Sequence, residues 1–277
     1  MNPTRRSLLT GGAAAAAATF LATPALAALP VVDMEMVLLA AQVDPPKPNT
    51  GLTPGASASV IEVERALSAK GLLSSGAVDG HYGTSTVSAY AAWQRSLGYT
   101  GIDANGIPGP SSLTSLGSGR YTVTRTVSTG SRTDSYGGKR VNTRTRNMLA
   151  AADGMLSWSL VITQGSYTSS NPSSAGTHDG GGVVDISVTN LTTTQRWQTI
   201  KALRTVGFAA WLRNPSQGDW PYHIHAAAVS DPDLASAARN QIHDYYFGKN
   251  GLANHAADDT PTAYRMPFTW WEKYLRG

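Results

Sequence analysis

A small set of side chains in this 277-residue chain has the types and spacing for metal chemistry. His178 stands seven residues before Asp185, and a His223-Ile224-His225 triplet follows further along. Two imidazoles and a carboxylate are the ligand types of a catalytic zinc site, which takes three protein ligands and leaves one position for water. His223 and His225 are two apart in a segment that reads as a strand. Their side chains therefore leave the same face, and a metal held by one lies near the other. Asp185 sits within Val183-Val184-Asp185-Ile186-Ser187-Val188, where a carboxylate is costly to bury unless paired or metal-bound. Gly180, Gly181 and Gly182 let the backbone turn tightly, so that His178 can fold back toward Asp185. Any one histidine alone carries little weight; the combination points to a metal site. The chain has no cysteine, so the ligands must be His, Asp or Glu.

The elements that must position these groups are legible in outline. Met148, Leu149, Ala152 and Met155 share a face, which predicts a helix over 142–155. Ser159–Thr163 and Val183–Val188 read as strands, and 222–228 as a third. Trp197, Ile200 and Leu203 predict an amphipathic helix over 194–206, ended by Gly207. Asp231-Pro232-Asp233 is expected to open a helix reaching Phe247, with Asp231 as its cap. Helices and short strands without regular alternation predict an α+β class, with an antiparallel sheet and flanking helices from 134 to 277.

Before it, residues 57–117 form a separate unit. Val60, Val63 and Leu67 lie at helical spacing, Asp79-Gly80-His81-Tyr82-Gly83 is a turn cluster, and a second helix carries Val87, Tyr90, Ala91 and Leu97. Pro110-Ser111-Ser112-Leu113 starts a short third helix. Segments 28–56 and 118–133 read as linkers: Pro45-Pro46-Lys47-Pro48 favours extended chain. Met34–Ala41 is an apolar piece with no functional reading.

Residues 1–27 read as an export signal. Arg5-Arg6 precedes an Ala-rich apolar run that ends at Ala25-Leu26-Ala27, a small-residue cleavage site, so a twin-arginine route and no membrane anchor after cleavage are expected. Removing this segment removes two arginines and no acid, which brings the chain closer to neutral than the +4 of the whole sequence. That balance argues against nucleic acid as a partner.

The order of motifs in 57–117 resembles the three-helix peptidoglycan-binding module found beside many wall hydrolases. The matching residues are Val63-Glu64-Arg65-Ala66-Leu67, Gly71-Leu72-Leu73, Val78-Asp79-Gly80-His81-Tyr82-Gly83, Ala92-Trp93-Gln94 and Gly106-Ile107-Pro108-Gly109. The resemblance implies peptidoglycan as partner, with the module as a tether for the second domain. Loss of residues up to Gly117 is then expected to weaken wall binding and spare hydrolysis of a small peptide.

Thr177-His178-Asp179-Gly180-Gly181-Gly182-Val183-Val184-Asp185, together with Asp219-Trp220-Pro221-Tyr222-His223-Ile224-His225, resembles the zinc D-alanyl-D-alanine carboxypeptidases and their relatives that cut cell-wall peptides. The resemblance implies one zinc ion on His178, Asp185 and His225. It leaves His223 as the group that accepts a proton or stabilises the tetrahedral intermediate, with Asp219 as the competing base. The sequence departs from the family pattern at Gly176 and Val183, and Thr163-Gln164-Gly165-Ser166-Tyr167 lacks the arginine that binds substrate in many relatives. Gln164 or Arg213 is the candidate replacement. Lysostaphin-like endopeptidases also end in His-x-His, but their Asp falls four after the first His, where this chain has Gly182. The expected activity is a D,D-carboxypeptidase or endopeptidase. An L-alanyl-D-glutamate endopeptidase is one alternative; a wall-binding protein with a degenerate peptidase domain is another. His81, His243 and His255 read as structural or surface residues. Tyr245, Tyr246, Phe247, Trp270 and Trp271 belong to a core or to a substrate groove.

Overall fold

The computed structural model describes residues 28–45, 51–169 and 171–277. The expected export signal, 1–27, lies outside the described residues. In chain order the elements begin with β1 (Val31–Asp33), α1 (Met34–Val43), α2 (Ser57–Ala69), α3 (Thr84–Ser96), α4 (Pro110–Leu116) and β2 (Thr122–Thr124). They continue with β3 (Asp134–Tyr136), β4 (Lys139–Val141), α5 (Thr143–Asp153), β5 (Ile162–Gln164), β6 (Val183–Ser187) and α6 (Thr193–Thr205). β7 (Phe208–Arg213), β8 (His223–Ala228), α7 (Ser236–Tyr246) and α8 (Trp271–Arg276) complete the series. The class is α+β, as expected. Among the described residues no helix is long and apolar enough to cross a membrane.

The central sheet is antiparallel, in the order β5-β6-β8-β7. Its two faces feed two hydrophobic clusters. Val184, Ile186, Phe208, Ala210, Ile224 and Ala226 pack with α5 and α6 on one side. Val183, Ala209, Trp211 and Ala227 join a cluster on the other side that includes α7, α1 and the helices of the 57–117 unit. The alternation along β6 and β8 sends Asp185, His223 and His225 to this second face.

Two elements differ from the sequence expectation. The expected linker 28–56 contains β1 and α1, and α1 is buried along almost its whole length. Its sequence MEMVLLAAQV is apolar all round, so it shows no amphipathic period and belongs between layers rather than on a surface. Asp33 caps it by accepting from the Glu35 and Met36 amides. Its polar groups are matched: Gln42 donates to the Asp231 carbonyl and accepts from the Ser230 amide, and Glu35 accepts from Trp270 and Arg276. β1 pairs in parallel with β2. The second difference is the helix expected from Asp231, which starts at Ser236. Asp231 is buried and accepts instead from the Asp233 amide and from Asn142 Nδ2, while the Asp233 carbonyl accepts from Gly181. These bonds hold 231–235 out of the helix.

α1 makes the 57–117 unit part of the body of the molecule. Burying Met34, Val37, Leu38, Leu39 and Val43 contributes on the order of 10 kcal/mol. That is comparable with the whole stability of an ordinary domain. The unit is therefore not a detachable tether. A fragment of residues 118–277 uncovers the face of α7 that packs on α1, and it is expected to aggregate or to lack a cooperative melting transition in circular dichroism. A soluble, cooperatively melting fragment would refute the shared core.

Within the unit, Glu64 is buried in α2 and accepts from the Asp79 and Gly80 amides and from Thr86 Oγ1, which fixes the turn at 79–83. Burial pushes its pKa up to about 7. An acid whose pKa rises on folding is most stabilising when protonated, and that stability is lost as pH rises through the folded value. Glu64→Gln keeps the shape and most bonds. Its thermal midpoint is expected to match wild type at pH 4 and to exceed it above pH 7, a gap on the order of 2 kcal/mol. Equal midpoints at pH 8 would contradict this.

Candidate metal centre

β6 and β8 pair so that Asp185 and His225 lie directly opposite each other in register. His225 Nδ1 is 2.8 Å from Asp185 Oδ1. His178 reaches the same oxygen from the loop before β6, with Nε2 at 3.3 Å. Ligand atoms of the three residues all lie within 4.8 Å of one another. The glycine run works as expected, but with divided roles. Gly182 takes a positive φ of 78°, whereas Gly181 allows close approach: a Cβ there would meet Tyr167 Oη at 2.6 Å and Asp233 Cβ at 2.7 Å. Fixing Gly181 against Asp233 turns the chain back and sets His178 over the sheet.

The hydrogen bonds on the far side of each ring decide what the site can hold. His178 Nδ1 lies 2.8 Å from the Gly165 carbonyl, which only accepts. In neutral His178 that nitrogen carries the proton, and Nε2 presents a lone pair. His225 Nε2 lies 2.8 Å from Gln241 Oε1, and the Gln241 amide nitrogen donates to the Gly251 carbonyl, which sets its orientation. Neutral His225 therefore donates from Nε2 and turns the Nδ1 lone pair toward Asp185. Burial lowers the pKa of His225, against the pull of Asp185, and so favours that neutral ring. In that pair of tautomers two imidazole lone pairs and a carboxylate oxygen converge, an arrangement suited to a cation. Carbonyl partners on the outer nitrogens are also what orients histidine ligands of metals. The residues present can hold a metal ion through His178 Nε2, Asp185 Oδ1 and His225 Nδ1. Against the upward push of burial, His178 and His225 with protons on the facing nitrogens instead bond Asp185 and hold its carboxyl below the usual carboxylate range.

The remaining candidates fall at different distances. His223 Nε2 is 3.8 Å from Asp185 Oδ1, and its Nδ1 lies 2.8 Å from the Pro221 carbonyl. In the neutral ring that partner keeps the proton on Nδ1 and turns the Nε2 lone pair toward the cluster. Asp219 is exposed and makes no hydrogen bond or ion pair to the cluster among the described residues. Arg213 lies opposite His223 on β7 and is buried. Its Nη1 donates to the Asn250 carbonyl, while Nη2 has no partner among the described residues. Burial pushes its pKa down to about 10, so it stays a cation. A bulge in β5 sets Gln164 opposite Asp185, but its amide is engaged with Thr168 and Asn171.

His243 is buried against the Val43 carbonyl and His255 pairs with Asp244, both outside the cluster. Tyr245 and Trp270 belong to the core. Sequence reasoning missed Gln241, Trp211 and the Gly165 carbonyl. Gln241 had a signal: it stands at core spacing among Ala238, Ile242 and Tyr245, where an amide needs a partner. Trp211 stacks on the His225 ring with centroids 6.5 Å apart.

Comparison with known families matches residues 56–116 to a peptidoglycan binding domain. The chain thus carries a peptidoglycan-binding module, which points to peptidoglycan as its partner and to the cell wall as its place of work. No curated protein and no solved structure matches the chain.

The outer bond of His225 has a measurable consequence. Gln241→Leu removes the acceptor for Nε2–H and is expected to weaken zinc binding roughly 10- to 100-fold, measured by competition with a chromogenic chelator. Unchanged affinity would remove Gln241 from the site.

Proposed function

We propose that the protein is a secreted zinc peptidase that hydrolyses peptide bonds of peptidoglycan, of the D-alanyl-D-alanine carboxypeptidase or endopeptidase type. The observation that carries this reading is the convergence of His178 Nε2, Asp185 Oδ1 and His225 Nδ1 in a chain that also bears a peptidoglycan-binding module. Zinc held there would lower the pKa of water to about 7 and polarise a scissile carbonyl. His223 Nε2 accepts the proton of the attacking water and returns it to the leaving amine. It is favoured over Asp219 because its ring faces the cluster and its outer nitrogen is fixed by Pro221. Arg213 contributes fixed positive charge beside His223, which favours the developing oxyanion and a substrate carboxylate. Export by the twin-arginine route, with the protein folded beforehand, belongs to the same reading.

A wall-binding protein without activity is the second reading, favoured by the departures at Gly176 and Val183. Metal analysis of the purified protein beside His178→Ala and His223→Ala, with muropeptide digestion of the same samples, separates the two. We expect about one zinc per chain in wild type and none in His178→Ala. His223→Ala is expected to keep the metal and lose turnover by roughly 10²- to 10⁴-fold. Product masses name the bond: loss of one alanine marks a carboxypeptidase, and a larger fragment an endopeptidase. Zinc-loaded wild type that cuts no muropeptide would leave the second reading.

A further inference from the structure

An open cleft of about 250 Å³ lies where the peptidoglycan-binding module meets the domain that carries the metal centre. One wall comes from the module, through Tyr99, Asp103, Asn105 and Ser111; the other comes from Arg132 and Asp233. Its volume falls below the roughly 300–1,000 Å³ of small-molecule sites, which leaves room for a single saccharide unit and not for a folded partner.

The floor is a fixed ion cluster. Arg132 donates to Asp233 through Nε and Nη2 at 2.7 and 2.6 Å, and to Asp103 at 2.6 Å. Tyr167 Oη donates to Asp233 at 2.6 Å. Two carboxylates share one guanidinium, so the cleft carries a net negative charge. Stem peptides of peptidoglycan bear free carboxylates and are disfavoured there. The N-acetylated sugars of the glycan strand are neutral, and their hydroxyls and acetamido groups match the outward oxygen of Asp103 and the Ser111 hydroxyl. Tyr99 is half-buried, and its side chain makes no hydrogen bond among the described residues, which leaves it for a ligand. An aromatic body with a polar tip suits the face of a sugar ring.

We infer that this cleft binds the glycan strand and holds it at a fixed offset from the metal centre. The offset follows from backbone contacts. The Asp233 carbonyl accepts from the Gly181 amide at 2.8 Å, three residues past His178. Asn105 of the module donates to the Pro232 carbonyl at 3.0 Å. A sugar held on Asp103 and Tyr99 therefore sits beside the Arg132–Asp233 pair that sets the His178 loop, and the peptide it carries is presented to the metal from one side.

The inference rests on the peptidoglycan reading, and its test separates the two. The full-length mature protein is titrated with the β-1,4-linked N-acetylglucosamine tetramer, and separately with a soluble stem peptide, while amide chemical shifts are followed. Sedimentation with purified sacculi is run on wild type, Tyr99→Ala and Ser111→Trp, with zinc content and melting midpoint as controls of folding. The tetramer is expected to shift Tyr99, Asn105 and Asp233 saturably. Both variants are expected to bind the tetramer and sacculi roughly tenfold more weakly with unchanged midpoints. Sacculi bound equally by wild type and both variants would overturn the cleft alone. Cleft shifts with the stem peptide but not the tetramer would overturn the glycan assignment. Wild type that leaves sacculi in solution would overturn the peptidoglycan reading, and the cleft with it.

Discussion

The convergence of lone pairs around Asp185 Oδ1 is the constraint on which the rest of the structure depends. Two neutral imidazoles with lone pairs turned to a carboxylate repel one another in a site shielded from water unless a cation or a proton lies between them. Everything that holds them there works against that repulsion. Register between β6 and β8 fixes Asp185 opposite His225. A backbone carbonyl and a glutamine oxygen fix the two rings from outside. The loop of three glycines is held by Asp233. Each of these supports comes from a different element, so the site belongs to the tertiary fold and not to a single motif.

That dependence explains the layered arrangement. The face of the sheet that bears the site also bears Val183, Ala209, Trp211 and Ala227, and these need cover. α7 supplies part of it and brings Gln241 to His225. α1 and the module helices supply the rest. The charged cluster of Arg132 with Asp103 and Asp233 then closes the seam between module and sheet at the end nearest His178. The peptidoglycan-binding module and the His-Asp-His cluster are thus parts of one packed body, with little freedom to move independently.

How much of this was legible in the sequence follows from what each element had to do. α5 and α6 announced themselves because each buries one stripe and exposes the other. β6 and β8 were legible through β-branched and apolar residues around a few conspicuous polar ones. β7 was not: Phe208–Arg213 is buried on both faces and rich in alanine, so it shows no alternation. α1 was hidden for the same reason. The three residues that cluster could be named from type and spacing, but their outer partners could not, because Gly165 acts through its carbonyl and Gln241 lies 16 residues from His225. Asp231 misled because Asp-Pro is a common helix opening, and only the packed loop shows that its carboxylate is claimed by Asn142.

The clamp on α1 also bears on how the molecule comes to exist. Glu35 is held by Arg276, 241 residues further along the chain, and Gln42 by Ser230 and Asp231. A nascent chain still lacking α8 holds a strongly apolar segment whose Glu35 has no Arg276 partner. Closure of the core must await synthesis of α8, and pairings of such long sequence separation form slowly. During that interval α1 is the part of the chain most in need of protection from aggregation.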